Sequence, residues 1–140
     1  MQNDPVLKVY CDGGARGNPG PSASAFVGFG AKGRLVHEGS RTLGTATNNV
    51  AEYTAVLEAV EWLTKNHRGA ECIDFYLDSL LVVNQLNGEF KIKNENLLKI
   101  ANQINGLVSD FPGPVTFQHI RREKNHHADF LVNKALDRLL

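Results

Sequence analysis

The chain has 140 residues, and its 15 basic and 15 acidic side chains give a formal net charge of zero at pH 7. This balance argues against a strongly basic nucleic-acid binder, whose affinity rests on many lysine and arginine contacts with phosphates, but it does not exclude local basic patches. The composition is that of an ordinary soluble domain, and no run of about 18 apolar residues predicts a membrane span. We expect one domain over residues 1–140 and no membrane partner.

The cysteines and the N-terminal residues indicate the cellular compartment of the protein. Cys11 and Cys72 stand far apart in the chain and outside any CxxC motif. The opening residues, MQNDPVLKVY, contain neither the basic nor the apolar region of a signal peptide. We therefore expect reduced thiols and a cytoplasmic protein.

The pattern of apolar residues and turn signals predicts nine elements in the order βββαβααβα. The strands are expected at 6–12, about 23–30, about 34–42, 72–77 and 115–120. The helices are expected at about 48–66, ending near Arg68 and Gly69, at about 79–86, at about 95–109, and from about 125 to the C-terminus. Three strands in direct succession should be antiparallel, and the later crossovers should be parallel. The predicted fold is an α/β fold, a mixed five-stranded sheet with helices on both faces.

Glu52 occupies an unusual position on the first predicted helix, which Thr47 or Asn48 is placed to cap. Counting at helical spacing from Glu52 reaches a stripe that should face the core, namely Ala55, Val56, Ala59 and Leu63. The neighbouring stripe should be solvated and consists of Thr54, Glu58, Glu61 and Lys65. A buried carboxylate without a partner is costly, so Glu52 needs a cation, a hydrogen-bond donor or a metal ion.

Three aspartates raise the same question. Asp12 and Asp78 come at the ends of the first and fourth predicted strands, each on the less apolar face. If those strands are adjacent and parallel, the two carboxylates are neighbours and repel each other unless a divalent cation holds them. Asp129 begins the inward-facing stripe of the last helix. Taken singly, each acid is more simply a cap or turn residue. Together with Glu52 they form an oxygen-rich set that suits Mg²⁺ or Mn²⁺ better than zinc.

Four segments resemble the motifs of type 1 ribonuclease H, namely DGGARGNPGP, TNNVAEY, LDSLLVVNQLNG and REKNHHAD. The resemblance extends over residues 6–138, and the predicted order of elements agrees with the ribonuclease H-like fold. It implies an endonuclease that hydrolyses the RNA strand of RNA/DNA hybrids and leaves 5′-phosphate and 3′-hydroxyl ends. It also implies two metal ions, Mg²⁺ or Mn²⁺, held by Asp12, Glu52, Asp78 and Asp129. In the family pattern Asp12 contacts both ions, while Glu52 and Asp78 hold the ion on the leaving-group side.

The resemblance also implies where the substrate binds. The 2′-hydroxyl distinguishes RNA from DNA, and a glycine-rich turn lets backbone groups approach a sugar–phosphate chain closely. Thr47 matches the position at which the family binds a DNA phosphate. The residues implied in substrate binding are Gly13, Gly14, Ala15, Arg16, Asn18, Thr47, Asn48 and Asn49. Read alone, the turn is more simply structural, and Asn48 and Asn49 could serve both as helix caps and as base or sugar contacts.

The segment RREKNHH is too short for the His-bearing loop that many family members carry. It resembles a shorter subgroup in which an arginine takes the place of that histidine. Arg122 matches this position and is the candidate catalytic residue, with Arg121, His126 and His127 as rivals.

Two other departures concern the substrate. The basic handle of some bacterial members is missing, and GEFKIKNEN supplies only Lys91 and Lys93, so we expect weak binding of hybrids. Leu80 and Phe130 are more apolar than the residues usual at their positions, which leaves their substrate contacts open. Two alternatives remain: a catalytically weak or inactive module that binds hybrids or double-stranded RNA, and a nuclease that also cuts double-stranded RNA. We expect a monomer.

Overall fold

A computed structural model of the chain describes residues 5–67 and 69–139. The strands are β1 (Val6–Ala15), β2 (Gly20–Phe29), β3 (Leu35–Ala46), β4 (Cys72–Leu77) and β5 (Val115–His119). The helices are α1 (Asn48–Asn66), α2 (Leu80–Leu86), α3 (Glu95–Asp110) and α4 (His126–Asp137). Short 3₁₀ turns occupy Ala31–Gly33 and Arg122–Lys124. The predicted order βββαβααβα is confirmed. Arg68, at the predicted end of the first helix, lies outside the described residues, and the single domain over 1–140 stays a prediction.

The five strands form one mixed sheet in the order β3-β2-β1-β4-β5. The first three strands pair antiparallel with one another, whereas β4 pairs in parallel with both β1 and β5. This arrangement follows from the chain, because β1, β2 and β3 are joined by short turns and the later strands are joined through helices. The predicted adjacency of the first and fourth strands is confirmed.

Helices cover the two faces of the sheet unequally. The larger core lies between the sheet and α1, α2 and α3, and alternate β1 residues such as Leu7, Val9 and Cys11 point into it. On the other face α4 packs chiefly on β2, where Ala23 and Ala25 leave room for the helix. The buried α4 residues of this smaller core are Val132, Ala135 and Leu136. Part of this second face is therefore left uncovered.

Helix α1 begins as predicted, because the Val50 N–H donates to the Thr47 hydroxyl oxygen at 3.2 Å. The predicted core stripe is fully buried and comprises Ala55, Val56, Ala59 and Leu63. The prediction of a solvated neighbouring stripe is wrong for Glu58. That carboxylate accepts a hydrogen bond from the Ser24 hydroxyl and forms an ion pair with Arg41 at 2.8 Å. Its partners lie on strands that are close only in the folded sheet, so helical periodicity does not predict them.

The glycine-rich segment differs from the prediction in extent. Strand β1 does not end at Asp12 but continues to Ala15, with Gly13 and Gly14 paired to β2. A Cβ atom at Gly13 would overlap the backbone of Ala51 and Glu52 in α1. Gly13 therefore allows the helix to lie directly against the strand. Within the described residues, no helix combines the length and the apolar character needed to cross a membrane.

Candidate active site

Three carboxylates meet where β1 and β4 pass under the start of α1. The parallel register pairs Tyr10 with Tyr76, and the same offset sets Asp12 opposite Asp78 two residues further on. Helix α1 brings Glu52 to the same point, because Gly13 permits close contact between helix and strand. One carboxylate oxygen from each of the three acids lies within 4.8 Å of those of the other two. Such an arrangement of oxygen ligands is typical of a site for a hard divalent cation.

The metal-free site is electrostatically strained. Burial raises the pKa of Asp12 to about 8, and repulsion from Asp78, Glu52 and Asp129 adds to the effect. Burial raises the pKa of Glu52 to about 7, again with a contribution from Asp78. A hydrogen bond from Ser79 and the positive charge of Arg122 oppose the Glu52 shift. A bound cation would relieve both the burial and the repulsion of these charges.

A buried atom without a partner supports the same interpretation. Glu52 Oε2 is shielded from solvent and has no hydrogen-bond partner among the described residues. Buried polar atoms are nearly always paired, so an orphaned carboxylate oxygen indicates a missing ligand. Because Glu52 belongs to a group of three acids, that ligand should be a cation. The residues therefore fit the metal ions that the family resemblance implies.

Asp129 lies beside the three carboxylates without joining their tight group. It sits in the first turn of α4 and lines the same cavity of about 310 Å³ as Asp12 and Glu52. Its charge is close enough to raise the pKa of Asp12. Its own side chain accepts a hydrogen bond from Asn133 at 3.3 Å. The structure thus brings all four predicted acids to one place, with Asp129 at its margin.

Asn125 belongs to the site although the sequence patterns did not single it out. Its side chain is only 1% exposed, and its Nδ2 donates to the Cys11 carbonyl at 2.8 Å and to Asp78 Oδ2 at 3.2 Å. This one amide ties the start of α4 to β1 and to a site carboxylate. An asparagine within REKNHHAD is polar and adjacent to an acid motif, but its burial is visible only in the fold.

Comparison with known proteins assigns the family. A family model described as reverse transcriptase-like matches residues 10–135. The ribonuclease HI of Halobacterium salinarum is 38% identical over 131 residues, covering 94% of this chain and 64% of that protein. A crystal structure of LC11-RNase H1 in complex with an RNA/DNA hybrid is 38% identical, covers 95% of this chain and 98% of that chain, and has a TM-score of 0.90. The chain belongs to the type 1 ribonuclease H family.

The predicted ribonuclease H-like fold is thereby confirmed. The bifunctional protein Rv2228c of Mycobacterium tuberculosis is 37% identical over 130 residues, which cover 92% of this chain but 35% of that protein. The chain thus spans about a third of that relative's length and roughly two thirds of the halobacterial enzyme's. The similarity to this ribonuclease H family therefore concerns one region of the longer relatives.

The four rivals for the position of the family's histidine lie in different surroundings. Among the described residues that line the carboxylate cavity, Arg122 is the one rival present. His126 and His127 line a separate cavity instead, and His127 Nε2 lies 2.8 Å from Glu38 Oε2. Arg121 is exposed. The geometry favours Arg122, whose charge already acts on Glu52.

The residues implied in substrate binding divide into two groups. Gly13, Gly14, Ala15, Arg16 and Asn48 line the carboxylate cavity, whereas Asn18, Thr47 and Asn49 do not. Several are already engaged within the protein. The Asn48 side-chain oxygen accepts from the Ala15 N–H at 2.8 Å, and the backbone N–H of Asn48 donates to Asn18 Oδ1 at 2.9 Å.

These contacts fasten the turn between β1 and β2 to the start of α1. Arg16 forms an ion pair with Asp137 at 2.6 Å, so its guanidinium is held towards α4. The capping role that the sequence left open for the asparagines belongs to Thr47 instead. Asn48 fixes the shape of the cavity wall, and its amide nitrogen is the part of the side chain that these hydrogen bonds do not use.

Proposed function

We propose that this protein is an endonuclease that hydrolyses the RNA strand of RNA/DNA hybrids, leaving 5′-phosphate and 3′-hydroxyl ends. The observation that carries the proposal is the group of three carboxylates with an orphaned, buried Glu52 oxygen. A relative of nearly the same length whose structure is described as a complex with an RNA/DNA hybrid supports the choice of substrate. Single ribonucleotides embedded in DNA are not expected substrates.

The proposed ligands of two divalent ions, Mg²⁺ or Mn²⁺, are Asp12, Glu52, Asp78 and Asp129. Such a pair of ions lowers the pKa of an attacking water and stabilises the departing 3′ oxygen of the phosphodiester. Oxygen-only ligands favour these hard cations over zinc but do not decide between the two. Asn125 orients Asp78, and Ser79 orients Glu52, so the ligands are held before an ion arrives.

Arg122 is proposed to act on the reacting phosphate. A guanidinium does not lose its proton in proteins, so Arg122 would serve as a fixed positive charge and hydrogen-bond donor rather than as a proton carrier. Its place in the wall of the carboxylate cavity supports contact with a bound phosphate. Negative charge that develops during the displacement would be stabilised there.

The substrate is proposed to contact the edge of β1 and the start of α1. Backbone groups of Gly13, Gly14 and Ala15 are available to a sugar–phosphate chain, and Asn48 and Arg16 stand beside them. Outside the cavity, Thr47 would contact a DNA phosphate, and Asn18 and Asn49 would contact bases or sugars. We further propose that the protein works as a monomer in the cytoplasm, where its free cysteines, Cys11 and Cys72, would stay reduced.

The deciding experiment is cleavage of an end-labelled RNA/DNA hybrid with Mg²⁺ or Mn²⁺, with double-stranded RNA and double-stranded DNA run in parallel. We expect cleavage of the RNA strand of the hybrid alone, abolished by chelation of the metal. Glu52→Gln should remove it, and Glu61→Gln, the same change on an exposed position of α1, should not. Metal-independent cleavage, or full activity of Glu52→Gln, would contradict the proposal. Cleavage of double-stranded RNA would widen the substrate range.

A further inference from the structure

A second cavity, larger than the one at the carboxylates, opens beside them. Its volume is about 670 Å³, within the range of ligand sites, against about 310 Å³ for the carboxylate cavity. Its walls include Tyr10 and Phe29 on the sheet and the turn at 31–33. Asn125 lines it too and also donates to Asp78, so this one side chain connects the cavity to the group of carboxylates.

Tyr10 and Phe29 line this second cavity, and the aromatic surface continues beyond it to Tyr76, which is not a lining residue. Tyr10 and Tyr76 are register partners on β1 and β4, and their rings are stacked with centroids 5.0 Å apart at 22°. Phe29 meets Tyr10 edge-on at 5.8 Å. Both tyrosines are partly exposed because α4 packs chiefly over β2 on this face. The arrangement is an open aromatic platform on a sheet.

The platform leads directly to the carboxylates. Tyr10 lies two residues before Asp12 on the same face of β1, and Tyr76 lies two residues before Asp78 on β4. That spacing corresponds to roughly 7 Å along each strand. A polymer held at the carboxylates and continuing along the strands would therefore reach the two rings next.

Three lysines surround the platform although the chain as a whole is neutral. Lys8, Lys32 and Lys124 line the cavity, and within 5–67 and 69–139 none of their amines forms an ion pair with a carboxylate. Two acids lie nearby: Asp74, the register partner of Lys8, accepts from the Thr116 hydroxyl, and Glu38 contacts His127. The cavity thus carries three lysines beside aromatic rings, and Lys32 and Lys124 have no such register partner.

We propose that this second cavity and the adjoining Tyr76 bind single-stranded RNA, with a base stacked against the Tyr10–Tyr76 pair and phosphates beside the lysines. Aromatic platforms edged with cations are the usual means of binding single strands without sequence preference, because every base offers a flat face. The bound segment would be the part of the RNA strand that continues past the hybrid. This last assignment rests on the proposed hydrolysis of hybrids, whereas the binding of single strands does not.

The first test measures binding of a short fluorescein-labelled oligouridine by anisotropy, at low salt and with EDTA so that no cleavage occurs. Tyr76→Leu keeps an apolar side chain on the sheet and should weaken binding roughly five- to tenfold by removing one stacking surface. The double variant Lys8→Ala, Lys32→Ala changes two exposed positions. It should make the slope of log K against log salt shallower by about 0.7 for each phosphate that a lysine no longer neutralises. Lys65→Ala with Lys99→Ala, exposed lysines on other helices, is the matched control and should change neither quantity.

The second test locates the binding surface. Oligouridine carrying 4-thiouridine should crosslink on irradiation to Tyr10, Tyr76 or Phe29, identified by mass spectrometry of the digested protein. No detectable binding, equal effects of the two lysine pairs, or crosslinks confined to residues outside this cavity would overturn the proposal. Because the binding assay needs neither metal nor catalysis, a protein that binds oligouridine but leaves hybrids intact would reject the proposed function and keep this inference. A protein that cleaves hybrids but does not bind oligouridine would keep the proposed function and reject this inference.

Discussion

Two glutamates on α1 show the difference between an acid that serves the fold and one that serves a site. Glu58 is satisfied on both sides, by the Ser24 hydroxyl and by Arg41. Glu52, less than two turns earlier, has a buried oxygen without a partner and faces Asp12 and Asp78. The first acid stabilises packing between helix and sheet, whereas the second is kept in a costly place by the structure around it.

The contrast is instructive because both residues are glutamates on the same helix. Helix α1 is anchored by its buried stripe, so it can hold Glu52 against its preference for water. A folding requirement alone would have paired or exposed that carboxylate. The following changes test this difference, beginning with the largest expected effect.

Glu52→Gln should lower the rate of hybrid cleavage on the order of 10³-fold or more, because a neutral amide replaces a negatively charged metal ligand. Binding of Mn²⁺, followed by isothermal calorimetry, should weaken in parallel. The folded structure should persist, since Gln has nearly the same shape and removes a buried charge. Cleavage within a few-fold of the wild type would show that Glu52 is not a ligand.

Arg122→Ala should slow turnover by about 10²-fold, the usual cost of removing one donor at a developing negative charge. Affinity for the hybrid, measured by anisotropy with Ca²⁺ in place of the catalytic metal, should change little. Arg121→Ala is the neighbouring control and should keep most activity. If His126→Ala or His127→Ala slows turnover more than Arg122→Ala does, the assignment passes to a histidine.

Asn125→Ala should weaken metal affinity by roughly 10- to 100-fold, because the variant lacks the amide that orients Asp78. It should also destabilise the fold, since the Cys11 carbonyl loses its buried donor. Asn125→Asp is a sharper variant because it nearly keeps the shape and places a negative charge beside Asp78. Titration of Mn²⁺ into each variant, at a temperature where both are folded by circular dichroism, separates the two effects.

Asp12→Asn should stabilise the metal-free protein at pH 8 by about 1 to 2 kcal/mol, because it removes a charge crowded by three others. The folded-state pKa of Asp12, about 8, lies above its ordinary value of 3.8, so the folded protein holds the proton more tightly than the unfolded chain. Stability of the metal-free wild type should therefore fall as pH rises from about 4 to about 8.

Urea unfolding across this pH range, with and without Mg²⁺, measures the effect. Ion binding needs the deprotonated acids, so the stabilisation by Mg²⁺ should grow with pH. A wild type whose metal-free stability rises steadily from pH 5 to pH 8, in step with Asp12→Asn, would contradict the raised pKa.

Much of this fold and site could be predicted from the chain because the signals are local. The buried stripe of α1, the alternation along β4 and the paired positions of Asp12 and Asp78 each follow from periodicity within one element. The acids come together once β1 and β4 are adjacent and parallel, an arrangement that right-handed crossovers favour.

What could not be predicted depends on register between segments distant in the chain. The burial of Asn125 between Cys11 and Asp78 and the role of Gly13 as a contact surface for α1 are of this kind. So is the stacking of Tyr10 on Tyr76 beside the second cavity, since both alternate with core residues like any half-exposed position. No pattern within one element shows that they stack.

Glu58→Gln should have the smallest effect of the set. The Gln side chain can still accept from Ser24, and the ion pair that it removes involves an Arg41 side chain that is 63% exposed. Exposed pairs of this kind contribute about 0 to 1 kcal/mol, so the free energy of unfolding should fall by no more than that. A double-mutant cycle with Arg41→Gln isolates the pair, and hybrid cleavage should stay at the wild-type rate. A loss of cleavage comparable with that of Glu52→Gln would remove the distinction between the two glutamates, because both would then act on the same chemistry.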